Sequence, residues 1–242
     1  MSSTPISTSP PAADTSDPNA GQRPYRSTLR AQQAADTRAR IMAAAGDLFT
    51  AHGFGATTVA LIADRAGVSQ PTVYATFGSK AGIVRALTGL LEDQAGAASW
   101  RQRIEAEPDP RRKLEEFAAW STRLYATGRG LIAAIQGAST EPAIGEVHAQ
   151  GDRNRREWLT GVVAALDRAD ALRPELTETE ALDRAWVLTG FELYFRATDG
   201  CGWTDTGYQR WLAALLHEQL CRPDPDDGPD TGSRSSGDGD PS

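Results

Sequence analysis

The chain has 242 residues, with 25 Lys and Arg against 32 Asp and Glu, for a formal charge of −7. Its 40% hydrophobic content supports a folded core and excludes a wholly disordered chain. No apolar run approaches the ~18 residues of a membrane span, and two cysteines, Cys201 and Cys221, are too few for a disulfide framework. No Cys or His pair has zinc spacing, so neither a metal nor a cofactor is expected. The first residues, MSSTPISTSPPAADTSDPNAG, lack the charged and apolar regions of a signal peptide, which points to a cytoplasmic protein with no membrane partner.

The charge is uneven. Residues 23–88 carry eight basic side chains (Arg23, Arg26, Arg30, Arg38, Arg40, Arg65, Lys80 and Arg85) against Asp36, Asp47 and Asp64, a net +5. Residues 89–242 carry −10. A basic unit joined to an acidic remainder suggests a nucleic-acid-facing domain, although a solvated basic face gives the same count.

In chain order, residues 1–22 are rich in Ser, Thr, Pro and Ala, with no large apolar side chain after Ile6. Beyond Leu220 the chain holds six Asp and no aliphatic residue. Both ends are expected to be disordered, the second as a solvated acidic tail over 222–242. Between them lies a succession of helical patterns without period-2 strands or internal repeats, which predicts an all-α fold of about nine helices.

The first helix is expected over 33–52, where Ile41, Ala44, Ala45, Leu48 and Phe49 recur at helical spacing before Gly53. Thr57 or Thr58 caps a short helix carrying Val59, Ile62 and Ala63, which stops at Gly67. Ser69 caps a third helix with Pro71 in its first turn. Gly78 ends it, and Ser79 caps a fourth helix expected to run toward residue 104. Further helices are expected over 110–127, 129–138, 142–171, 178–198 and 205–220, with Gly128 to Gly130 read as one of the breaks.

The informative stretch is TVALIADRAGVSQPTVYATFGSKAGIVRAL, Thr58 to Leu87. Two short helices flank Gly67-Val68-Ser69, the three-residue turn of a helix-turn-helix, whose second helix enters the DNA major groove. Gln70, Thr72, Ala75 and Thr76 fall on its exposed side. Gln can bond the adenine edge, and an Ala or Thr methyl can pack on a thymine methyl. Tyr74 can reach a phosphate or a base edge, or serve as a core aromatic. Phe77 reads as core, packed on the first helix.

Ile62-Ala63, Ala66-Gly67-Val68-Ser69, Thr72-Val73-Tyr74, Phe77 and Lys80 resemble the DNA-binding segment of the tetracycline-repressor (TetR) family. The likeness covers about residues 36–88, and Gln70-Pro71-Thr72 is similar to the opening of that family's recognition helix. It departs at Thr76, where His or Tyr is common, and at Ala81, where an acid is common. The resemblance implies a DNA-binding set of Thr58, Ser69, Gln70, Pro71, Thr72, Tyr74, Ala75, Thr76 and Lys80, in which Thr72, Tyr74 and Lys80 hold the DNA backbone.

It also implies a helix-turn-helix domain over 31–88 and a helical effector-binding and dimerisation domain over 89–221, with residues 1–30 as a disordered arm. Arg23, Arg26 and Arg30 in that arm are read as tracking phosphates or the minor groove, or as a solubilising stretch. The aromatics Trp100, Phe117, Trp120, Tyr125 and Trp158 are candidate walls of an effector cavity, with His148 and Arg123 as polar contacts. Helix 178–198 is expected to be apolar all round. With the last helix it supplies a homodimer interface through Trp186, Phe191, Tyr194, Phe195, Trp211 and Leu215.

The implied function is a regulator, a repressor, that binds a double-stranded, pseudo-palindromic operator as a homodimer and is released by a small apolar or aromatic effector. The alternative is a helical interaction protein that keeps the scaffold without reading DNA. No GxSxG, HExxH or P-loop occurs and no catalytic residue is proposed, so the chain is not read as an enzyme.

Overall fold

The computed structural model describes residues 22–138 and 140–223, with side chains from residue 28 onward. Of the segments expected to be disordered, 1–30 and 222–242, residues 1–21 and 224–242 lie outside the described residues. The fold is all-α, as expected: among the described residues there are ten α-helices and one π-helical turn, and the only β pairing is an isolated bridge between Leu172 and Cys221.

Helix α1 (Gln22–Ala56) begins well before residue 33, so the backbone of Arg23, Arg26 and Arg30 is helical and does not form an irregular arm. It kinks at Gly53, whose φ of 77° is open to a residue without Cβ. Then come α2 (Val59–Ala66), α3 (Gln70–Phe77) and α4 (Lys80–Ala95). Each starts on the expected oxygen: Thr58, Ser69 and Ser79 accept from Leu61, Thr72 and Gly82 N–H.

The fourth helix does not run unbroken to residue 104. Gly96, at φ 80°, closes α4 and turns the chain into α5 (Ala97–Ala106). The opposite correction applies at Gly128 and Gly130. No break occurs there, and α6 (Pro110–Gln136) runs through both. A Cβ on Gly128 would lie 2.3 Å from Leu91 Cδ2, and one on Gly130 2.6 Å from Thr50 Cγ2. These glycines permit close helix packing; they do not terminate a helix.

Helix α7 (Pro142–Arg168) crosses the molecule, and α8 (Glu178–Leu188) opens on a capping box between Thr177 and Glu180. The expected helix 178–198 is interrupted at Thr189 and Gly190, then resumes as α9 (Phe191–Phe195) and the π turn Arg196–Gly200. Nor is it buried all round, because Val187 is 61% exposed. Helix α10 (Asp205–Leu220) ends where Arg173 N–H bonds Leu220 O and Arg222 N–H bonds Ala171 O, which ties it to the loop after α7.

Two apolar clusters form. One holds Ile41, Phe49, Ile62, Val73 and Ile83 from α1–α4, closed by Ile135 of α6 and Ile144 and Val147 of α7. The other centres on Phe117, Leu159, Leu166, Tyr194, Tyr208 and Leu212. The N-terminal unit therefore does not close its core alone, and a boundary at residue 88 falls inside α4.

Candidate nucleic-acid interface and sensing cavity

The turn between α2 and α3 is built by Gly67 in the left-handed region (φ 63°) and by Val68 N–H donating to Ala63 O at 3.0 Å. Val73, 1% exposed, pins α3 to the core beside Ile62. Gln70, Pro71, Tyr74 and Ala75, at i, i+1, i+4 and i+5, face outward together, and Tyr74 is 51% exposed. A helix so held presents its first turns as an edge for a groove about 12 Å wide.

The hydroxyls of the expected set are mostly occupied by the motif itself. Ser69 Oγ accepts from Thr72 N–H at 3.3 Å and shares a 2.8 Å bond with Thr72 Oγ1. Thr76 Oγ1 donates to Thr72 O at 2.7 Å, and Thr58 Oγ1 caps α2 at 3.2 Å. Thr72 and Thr76 are half-buried at the flanks of the outward face.

Lys80 is placed differently from the expectation. Its Nζ donates to Phe54 O at 2.7 Å and Thr57 O at 2.9 Å, and it stands 3.8 Å over the Phe54 ring. The ammonium is bound into the end of α1, so the start of α4 is locked to the α1–α2 joint. Phe77 packs on the N-terminal core, with Arg38 of α1 4.5 Å over its ring. The exposed Arg65–Asp47 pair, at 3.4 Å, contributes little to stability.

A cavity of about 150 Å³ opens between α4, α6, α7 and α9. Of the expected walls, Trp120, Tyr125 and Trp158 line it, as does His148. Phe117 is instead fully buried behind them, edge-on to both Trp120 and Trp158. Trp100 lies outside the wall beneath Arg103, at 4.2 Å, and Arg123 Nε donates to Ala95 O at the end of α4.

Sequence reasoning missed Leu91 and Glu92 of α4 and Asp152 and Arg155 of α7 as wall residues. Arg155, with a side chain only 12% exposed, bonds Asp152 at 2.9 Å and lies 5.2 Å over the Trp186 ring. One signal was available: Ile144, Val147, Gly151, Arg155 and Trp158 form one helical stripe, so an arginine on it faces inward. Burial raises the pKa of Glu92, opposed by the guanidinium of Arg101. Tyr125 OH donates to Thr189 O at 2.6 Å, and burial pushes that phenol upward.

The expected interface residues divide. Phe191 is a cavity wall, Trp186 lies half-buried under Arg155, and Tyr194 is fully buried, so of the three only Tyr194 has no outer surface. Tyr194 OH donates to Asp205 Oδ1 at 2.6 Å and accepts from Arg129 Nη2 at 2.9 Å. Desolvation and the Asp205 carboxylate push its pKa up to about 12. Phe195 and Leu215 are half-buried. The exposed apolar surface here is Trp211 (36%), Trp203 (40%) and Val187 (61%), with the two indoles in edge contact at 5.4 Å.

Residues 41–87 match the family model described as bacterial regulatory proteins, tetR family. Over 79 residues the chain is 37% identical to the HTH-type transcriptional regulator TtgR of Pseudomonas putida, a stretch covering 33% of this chain and 38% of that relative. The match thus spans about two fifths of the relative's length. NalD of Pseudomonas aeruginosa, described as the secondary repressor of the MexAB-OprM multidrug efflux pump, superposes with a TM-score of 0.64 at 18% identity, covering 79% of this chain and 98% of NalD. A protein of Saccharomonospora viridis, solved in complex with choline, superposes at 0.62 with 17% identity, covering 78% and 100%. At these identities the superpositions establish the fold.

Proposed function

We propose, from the match of residues 41–87 to the tetR family of bacterial regulatory proteins, that the chain is a repressor that binds a pseudo-palindromic operator as a homodimer and is released when a small, mainly apolar effector enters the cavity. The observation that carries this reading is the double membership of α4. Ile83 and Val84 lie in the core beneath the recognition helix, while Leu91 and Glu92, two turns on, line the cavity. A ligand that fits only one setting of Leu91 biases the position of α3 through a continuous helix. The available free energy is the ligand's differential affinity for the two settings.

Selection of bound duplexes from a random pool, followed by footprinting, tests the DNA reading. The expected product is an inverted repeat whose half-sites are about one turn, ~34–36 Å, apart. Gln70→Ala should weaken that site by about 1–3 kcal/mol and relax specificity at one position. Recovery of no preferred sequence would leave the interaction-protein reading in its place.

The exposed apolar side chains of Val187, Trp203 and Trp211 are the ones we assign to the surface that meets the partner copy. Trp211→Glu together with Val187→Glu should give a monomer by sedimentation, with operator affinity lost. A variant that stays dimeric sinks this assignment.

A further inference from the structure

The cavity wall is chemically one-sided. Three buried N–H groups on its residues, Nε1 of Trp120, Nε1 of Trp158 and Nη1 of Arg155, have no hydrogen-bond partner. All three are donors. Among the described residues, no lining side chain has a buried acceptor left without a partner. Buried polar groups in folded proteins are nearly always satisfied, so three orphaned donors carried by residues of one wall call for a reason.

The residues that carry the three donors are neighbours. Arg155 and Trp158 stand three residues apart on α7 and so share a face, and the Trp158 ring meets Trp120 at 4.2 Å between centroids. The charges around them cancel: Arg101 and Arg155 face Glu92 and Asp152, and Arg155 is already bonded to Asp152. An ion entering alone would lose its hydration without a free countercharge. The rest of the wall is hydrocarbon, including Leu91, Leu124, Ile132, Ile135 and Phe191. Its volume of about 150 Å³ is that of an apolar protein cavity that takes up a benzene ring.

We propose that the cavity binds an uncharged, ring-sized apolar molecule whose polar groups are hydrogen-bond acceptors, such as a ketone, ester or lactone, seated on the N–H groups of Trp120, Trp158 and Arg155. This rests on the reading of the cavity as the effector site and names the class of effector. The acceptor satisfies the donors, and the ring fills the hydrocarbon part. A pure hydrocarbon leaves the donors as they are, and an ammonium brings donors to donors.

Four probes of one shape separate these cases: acetophenone, isopropylbenzene, benzoate and benzylammonium, titrated into the full chain by calorimetry. Acetophenone is expected to bind at least tenfold more tightly than the other three. Trp120→Phe and Trp158→Phe keep an aromatic ring and remove the N–H. Each should weaken acetophenone three- to tenfold and leave isopropylbenzene unchanged, with the melting temperature of each variant measured alongside. Isopropylbenzene binding as tightly as acetophenone, or benzoate binding more tightly, overturns the acceptor assignment and leaves the effector site standing. Equal losses for both neutral probes in the Phe variants overturn it as well. Binding by none of the four removes the cavity as an effector site, and this inference with it.

Discussion

Replacing Lys80 with methionine is expected to lower the melting temperature by several degrees while leaving the salt dependence of DNA binding unchanged. The reason lies in where the ammonium sits. The last carbonyls of a helix have few intrahelical donors; Lys80 donates to Phe54 O in the last turn of α1 at 2.7 Å and to Thr57 O just beyond it at 2.9 Å, above the Phe54 ring. Hydrogen bonds to a charged group contribute about 1.5–3 kcal/mol each, and partial solvation of this site reduces that. A loss of about 2 kcal/mol corresponds to roughly 4–8 °C for a chain of this size. Operator affinity falls because α4 is no longer anchored to the α1–α2 joint. A lysine whose task is to hold a phosphate behaves in the opposite way: its removal leaves the melting point alone and reduces the salt slope by about one. Thermal unfolding and a salt titration on the same preparation distinguish the two roles, and an unchanged melting point with a shallower slope would restore the phosphate role.

The reading head was legible because its signals are local. Thr58, Ser69 and Ser79 each cap a helix begun within three residues, and Gly67 and Gly78 each close one at positive φ. Such rules need only neighbouring residues. Lys80 was visible as a residue but not in its role, since Phe54 O lies 26 positions away. The glycines of the body show the same limit. Gly96 breaks a helix expected to continue, while Gly128 and Gly130 continue one expected to break. In the sequence each is a residue that disfavours a helix. The neighbours that make Gly128 and Gly130 useful, Leu91 and Thr50, belong to other helices. The cavity was half visible: aromatic size marked Trp120, Tyr125 and Trp158, but charge hid Arg155. A lone arginine on an apolar stripe is ordinarily read as surface, and only its burial against Asp152 and Trp186 shows otherwise.

Gly128→Ala is expected to weaken operator binding about tenfold while lowering the melting temperature by no more than about 10 °C, and Leu91→Ala in the same chain to restore much of the loss. The new methyl would lie 2.3 Å from Leu91 Cδ2 and 3.1 Å from Cδ1, so Leu91 must move. Leu91 is 7% exposed and borders both the cavity and a groove lined by Thr50, Gly128 and Gly130, so a move into the cavity is one of two ways out. Overpacking costs about 1–3 kcal/mol, while alanine gains about 0.5–1 kcal/mol over glycine inside a helix, so the net loss lies between about 0 and 2.5 kcal/mol. What changes is the setting of α4, which carries Ile83 and Val84 in the core beneath the recognition helix. With Leu91 turned into the cavity, the variant imitates an occupied cavity from within. Truncating Leu91 removes the clashing atoms and frees α4, at the cost of a cavity in its own right. Two residues acting through one contact give a coupling of about 0.5–3 kcal/mol in a double-mutant cycle. Operator affinities of the wild type, both single variants and the double variant, measured at one salt concentration, supply that number. Additive effects would mean that α4 does not transmit what happens at the cavity, and the release mechanism would have to pass through α6 and its contact between Gly130 and Thr50 of α1.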